Sequence, residues 1–357
     1  MKPIILFLII LSLFTSTNSY SNILENVRKE LVEKVLLYLP SKNNIDILKM
    51  YITLSNTKEE YSLRDEESVF LIFKWITQNI IYDCYLNKLD NNETPTDVYK
   101  SGKGTSKGIS DLFKAMCNYM GIESDSISGL IKKSVRDVEL LKIIDYNWNY
   151  IKINSTYYLI DISSSIGACD GDEFLEHYSE FYFAPDPEIF IRHHFPEENK
   201  WQLLDKNITK DQFISMAFTT EWYYLFGFKT INPDSNNITG LEETKFTLTF
   251  ESNKTKPKVI GITGNSDFDF KEINYTNYIF SEGKIEVSFD LTNEEITYFW
   301  VVIEQYVPSE KRNNLTGVVM YKIIHLKKKN ENELLKYSKN NNNLYLKELL
   351  FNRFDIK

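Results

Sequence analysis

Cysteine is scarce in this chain of 357 residues: Cys84, Cys117 and Cys169 are the only three. No two of them form a CxxC pair, which argues against a cysteine-based zinc site. An odd count leaves room for one disulfide and one free thiol, and spacing alone does not choose the pair. Only four histidines are present, so imidazole chemistry has few places to reside. Positive charge is also in deficit. The formal net charge is −9, and Lys327–Lys357 is rich in lysine, so the rest of the chain is more acidic still. Such a body repels a nucleic acid backbone. Long apolar runs are missing apart from Ile4 to Phe14, which is too short to cross a bilayer, where ~18 or more residues are needed.

That one apolar run follows Lys2 and ends in Ser16-Thr17-Asn18-Ser19, the layout of a secretory signal peptide over residues 1–19. The expectation is a secreted protein, or one lumenal to the secretory pathway, with no transmembrane segment. Sequons at Asn92, Asn154, Asn207, Asn237, Asn253, Asn274 and Asn314 are compatible with glycosylation in that compartment, although a chain this rich in Asn, Ser and Thr would hold several by chance.

A hydrophobic fraction of 43% with 14% aromatics supports packed cores, and the length suits two domains at the usual ~100–200 residues each. Asn22 to about Tyr38 carries Ile23, Val27, Leu31 and Val35 at helical spacing. Asp65 to Ile81 does the same with Val69, Phe73, Ile76 and Ile80. Leu112, Phe113, Met116 and Met120 mark another helix after Ser106, which puts the Ser106 hydroxyl at a helix N-terminus. Cys117 lies well along this helix among core residues. From Asn147 the period becomes two. Asn154-Ser155 reads as a two-residue hairpin turn, with Thr156 to Ile162 as the return strand. In that register Asp161 falls opposite Trp148 and diagonal to Tyr146, so 146 and 161 share a face ~7–8 Å apart. Turn formers gather at Asn232–Asn237, setting a boundary between residues 20–235 and 236–326. The second part has five short β-rich runs between Lys245 and Leu326, which read as a small β-sandwich. Residues 327–357, with Asn340 to Asn343, are a low-complexity tail.

The segments Gly104-Thr105-Ser106-Lys107-Gly108, Tyr146-Asn147-Trp148-Asn149 and Asp161, with Tyr182-Phe183, His194-Phe195-Pro196 and Trp201-Gln202-Leu203-Leu204 downstream, resemble the transglutaminase-like superfamily, and most of all its kyphoscoliosis peptidase branch. The resemblance spreads over roughly residues 60 to 215. It implies an α/β (α+β) papain-like, transglutaminase-type core, with helices packed on an antiparallel sheet. In such enzymes a Cys at a helix end, a His on one strand and an acid on the next form the catalytic unit. The helix end and imidazole stabilise the thiolate, and the acid orients the imidazole. Here Ser106 occupies the Cys position and Tyr146 the His position, while Asp161 keeps the acid and Trp148 and Asn149 keep their places as groove-lining candidates for binding.

A serine without a base is a poor nucleophile, and a phenol with a pKa near ~10 does not replace imidazole at neutral pH. The expected function is therefore a catalytically silent pseudoenzyme that holds a peptide or protein partner. The resemblance to fungal cytokinesis proteins, whose related domains lack catalytic residues and act in protein interactions, makes that reuse plausible. Two alternatives are a working peptidase or acyltransferase using Ser106 with Asp161, and a structural secreted protein acting through its β-sandwich. No cofactor is implied. Glu173 and His177 would share a face only on a helix, where a solvated helix start is the plainer reading than a metal site, and Asp234-Ser235-Asn236 lacks the later ligands of a calcium loop. His194 is expected to pack, and His193 has no evident partner.

Overall fold

The computed structural model describes residues 23–85, 93–132, 144–170, 173–239, 243–250, 258–264, 270–281, 283–293, 296–307 and 312–325. The expected signal peptide and tail lie outside them.

The helix expected from Asn22 is interrupted. Ile23–Asn26 is a 3-10 turn and the α-helix α1 starts only at Lys29, running Lys29–Leu36. Arg28 breaks the run because its N–H (3.3 Å) and guanidinium both turn to the Glu67 carboxylate. A further helix, α2 (Ile47–Glu60), was not evident in the sequence. Asp46 caps it by accepting from the Lys49 N–H. α3 (Asp65–Asn79) begins where expected, and buried residues run without a break from Glu67 to Ile76. It is the central, all-round buried helix of the first core.

Strand β1 (Ile81–Tyr82) pairs in parallel with β2 (Lys103–Gly104), after helix α4 (Pro95–Ser101). This pairing delivers the chain to α5 (Ser106–Tyr119), whose N-cap Thr105 accepts from Gly108 N–H while Glu93 receives both the N–H and the hydroxyl of Thr105. α5 packs on a four-stranded antiparallel sheet ordered β5 (Thr156–Ile160), β4 (Ile144–Ile153), β3 (Ser124–Ile131) and β8 (His194–Pro196). Asn154 and Ser155 form the hairpin turn, with φ of 49° and 67°, the left-handed pair that a tight type I′ turn demands. The return strand stops at Ile160. Asp161 then caps the short helix α6 (Ile162–Ile166). Gly129 is required where it stands. A Cβ there would lie 2.4 Å from both the Phe195 carbonyl and the Trp148 ring, so its absence lets β8 and the indole approach β3.

The run expected as a possible helix at Glu173–His177 is instead strand β7 (Glu173–Glu176), paired with β6 (Gly167–Asp170). The ribbon is tied back to the end of β1 by a Cys84–Cys169 disulfide, Cα–Cα 5.7 Å. Cys117 is the free, buried thiol, and burial pushes its pKa up. After helix α7 (Pro187–Phe190) and β8, the chain passes through α8 (Lys210–Ser215), β9 (Phe218–Thr219) and α9 (Glu221–Leu225).

Two sheets then pack face to face. One is ordered β10 (Phe228–Asn232), β12 (Glu243–Phe250), β16 (Lys284–Asp290), β15 (Asn277–Ser281). The other is ordered β11 (Asn237–Thr239), β18 (Arg312–Ile324), β17 (Tyr298–Val307), β13 (Lys258–Gly264), β14 (Phe270–Ile273), with β9 added on β18. Phe246, Leu248 and Phe289 meet Phe299, Val301 and Tyr321 in a core separate from the first. Ala217, Tyr223, Phe228 and Ile231 belong to this second core, although they precede residue 236. Among the described residues no helix is long and apolar enough to cross a membrane.

Candidate functional site

The β1–β2 pair, the start of α5, strand β4 and the cap of α6 converge on one buried polar cluster. Ser106 is 3% exposed, and its Oγ accepts the Asn147 N–H at 3.3 Å. The Tyr82 phenol lies beside it, its pKa raised first by burial and then by the Asp161 charge. Tyr146 is 1% exposed. Its hydroxyl donates to Asp161 Oδ1 at 3.2 Å and sits 3.2 Å from Ser164 Oγ. The contact expected from the hairpin register, Tyr146 with Asp161, is thus formed. Burial first, and then the neighbouring Asp161 charge, push the Tyr146 pKa well up. The phenol therefore keeps its proton and cannot serve as a base.

Asp161 is fully buried. Burial alone would raise its pKa, but the hydrogen bond and charge of His194, with Ser164, prevail and lower it. The His194 contact is the part that sequence reasoning missed. Nε2 of His194 meets Asp161 Oδ2 at 2.8 Å, while its ring stacks on Phe190 with centroids 4.0 Å apart. Packing was the expectation, and it is half of the role. An imidazole does face the acid, but it comes from β8, whose pairing with β3 carries it across the sheet. The His-Phe-Pro motif was the only signal for it. His193 also has a partner after all, since its Nε2 is 2.6 Å from the Thr219 carbonyl.

Trp148 and Asn149 are each 1% exposed. Trp148 packs edge-on against Phe190 and His194, and Asn149 Nδ2 donates to the Ser110 and Asp125 carbonyls. Both face inward and present no surface to a partner in this conformation. His177 pairs with Glu221, Nε2 to Oε1 2.6 Å, and no group of three or more metal-ligating side chains occurs among the described residues. Of the sequons, Asn154, Asn207 and Asn274 are exposed and Asn237 is half-buried, with its amide on Asn236. Asn314 lies in β18, and Asn92 and Asn253 fall outside the described residues.

The cluster can hold a buried carboxylate in a fixed, ionised state. Ser106 is covered, and the Tyr146 hydroxyl that meets Asp161 keeps its proton.

The sequence profile of the transglutaminase-like superfamily matches residues 53–205. Kyphoscoliosis peptidase from Mus musculus and from Homo sapiens are each 28% identical to the chain over 194 residues, covering 53% of this chain and 29% of theirs. The chain thus spans 29% of the length of these curated relatives. A solved TGase crystal structure aligns over 44% of this chain and 42% of its own, at 13% identity and a TM-score of 0.26.

Proposed function

We propose that this chain, whose residues 53–205 are a transglutaminase-like superfamily domain of the kyphoscoliosis peptidase-like branch, is a catalytically silent, secreted or lumenal protein that holds a peptide or protein partner without cutting or cross-linking it. The observation that carries the reading is the state of Tyr146. It occupies the base position, is buried, and spends its hydroxyl on Asp161 and Ser164. Serine chemistry needs a group to take the hydroxyl proton as the oxygen attacks. Among the described residues, the Asn147 N–H bonds Ser106 Oγ and the Tyr82 phenol, of raised pKa, lies beside it. In a well-studied triad, loss of the nucleophile or the base alone costs ~10⁶ in turnover, because the members act as a unit. The Cys84–Cys169 disulfide supports an oxidising compartment.

The test is a serine-reactive fluorophosphonate probe on the purified full chain. No labelling at Ser106 is expected after prolonged incubation. Labelling that disappears in Ser106→Ala would make the protein an enzyme and overturn the proposal.

A further inference from the structure

A cavity of about 370 Å³ opens between the two cores and does not include Ser106. One wall comes from the first core through Ile131, Lys132, Ser164, Tyr182, His193 and His194, and the other from Phe218 to Trp222. Its size is within the range of small-ligand pockets, ~300–1,000 Å³. Ile131, Ala168, Tyr182, Phe218 and Trp222 give it mainly apolar walls.

The anomaly in this lining is Lys132. It is only 2% exposed, yet no carboxylate pairs with it among the described residues. Its Nζ donates to two neutral carbonyls, Phe213 at 2.9 Å and Met216 at 3.0 Å, and lies over the Phe213 ring 4.9 Å from its centre, so every partner it has is uncharged. An ammonium buried without an acid is costly. Burial first, and then the charge of Arg192, lower the Lys132 pKa to about 7 against a smaller opposing pull from Asp234.

The other titratable groups facing the cavity are already engaged. Glu221 accepts from His177 at 2.6 Å and from Ser179 at 2.5 Å. His193 spends Nε2 on the Thr219 carbonyl and is kept neutral, with burial the chief cause of a pKa lowered to about 3. His194 is held by Asp161, and the Tyr182 phenol is kept protonated by burial.

We propose that this cavity binds a carboxylate carried on an apolar body, with the Lys132 ammonium as the counter-charge and the aromatic walls around the body. The inference goes beyond the proposed function and is independent of whether Ser106 is silent. Two sources share this chemistry: the C-terminus of a peptide ending in an apolar residue, and a free aromatic or aliphatic acid. Binding takes up a proton at alkaline pH, because the anion holds Lys132 in its charged form. Affinity therefore falls as pH rises through about 7, by up to about tenfold per pH unit.

The experiment is calorimetric titration of the full chain with 3-phenylpropionate and with N-acetyl-glycyl-phenylalanine. The controls are 3-phenylpropanamide and the C-terminally amidated dipeptide. The acids are expected to bind at least about tenfold more tightly than the amides, with heats at alkaline pH that vary with buffer ionisation enthalpy. Lys132→Met should lose the same factor. Ala168→Phe, at an exposed position of β6 lining the cavity, should block binding even if Lys132→Met fails to fold. Binding of the dipeptide alone assigns the site to peptide C-termini, and comparable binding of 3-phenylpropionate assigns it to free acids. Equal affinity for acids and amides, unchanged binding in a folded Lys132→Met or in Ala168→Phe, or no acid binding at millimolar concentration would each overturn the proposal.

Discussion

Replacing His194 by Phe removes the donor on Asp161 while keeping a ring to stack on Phe190. The two side chains are both 0% exposed and 2.8 Å apart, so the substitution leaves a carboxylate in the interior with the Ser164 N–H at 2.9 Å, the Ser164 side chain and the Tyr146 hydroxyl at 3.2 Å. Breaking a buried pair from one side costs about 3–5 kcal/mol. Tyr146→Phe removes a longer bond than the usual ~2.7–2.8 Å for O–H···O, and should cost only about 1 kcal/mol. The pH dependence separates the variants further. In the wild type the Asp161 pKa is lowered by folding, so its contribution is present above the unfolded value near ~4 and is lost as pH falls below it. Without His194, burial raises the folded pKa above the unfolded one. The variant then loses stability as pH rises from about 4 toward neutrality, with the opposite slope. Urea unfolding of the three proteins at about pH 5 and about pH 8 reads both effects. Equal losses in the two variants, or a His194→Phe curve parallel to the wild type across that range, would refute the view that His194 is the principal partner of Asp161.

Glu67 is fully buried and accepts from the side chains of Arg28 and Arg64 and from the Arg64 N–H. Burial works to raise its pKa, but these bonds prevail and hold it well below the usual carboxylate range. Since both arginines are about half exposed, Glu67→Gln should cost about 1–3 kcal/mol rather than the full price of a buried pair. That difference should be present above about pH 4.5 and fade as pH falls, as followed by acid unfolding of both proteins. Reduction of Cys84–Cys169 releases a link spanning 85 residues and should destabilise by up to about 4–5 kcal/mol. A denaturation midpoint unmoved by reductant, with the Cys84→Ser/Cys169→Ser variant matching the oxidised protein, would show that the link contributes nothing.

Local periodicity made several elements legible. The α5 pattern and the Asn154-Ser155 turn were readable because a helix stripe and a two-residue turn are short-range signals. The hairpin register alone placed Tyr146 next to Asp161. α2 was hidden because apolar Leu48 and Ile52 stand on its exposed side while polar Thr57 sits among the buried positions Ile47, Met50 and Leu54, which blurs the stripe. The break before α1 was invisible because its cause, Glu67, is a tertiary partner 39 residues away. The disulfide depended on a β6–β7 ribbon whose second strand the sequence offered as a possible helix. His194 reaches Asp161 across a separation of 33 residues through the pairing of β8 with β3. No local pattern encodes that contact.

Arg192, His193 and His194 form one continuous staple, which gives the polar cluster a structural purpose. His194 reaches into the first core and holds Asp161, which in turn caps α6 and receives Tyr146 from β4. The preceding His193 bonds the Thr219 carbonyl in β9, a strand paired with β18 of the second core. Arg192 adds two bonds to Asp234 and one to the Ala217 carbonyl. Asp161 therefore anchors the segment that joins the cores, and every link is a buried or charge-assisted hydrogen bond that is expensive to leave unmade. The raised pKa of Tyr146 keeps its hydroxyl a permanent donor to Asp161. The same joint sets the walls of the Lys132 cavity, so a ligand seated there would bear on both cores at once.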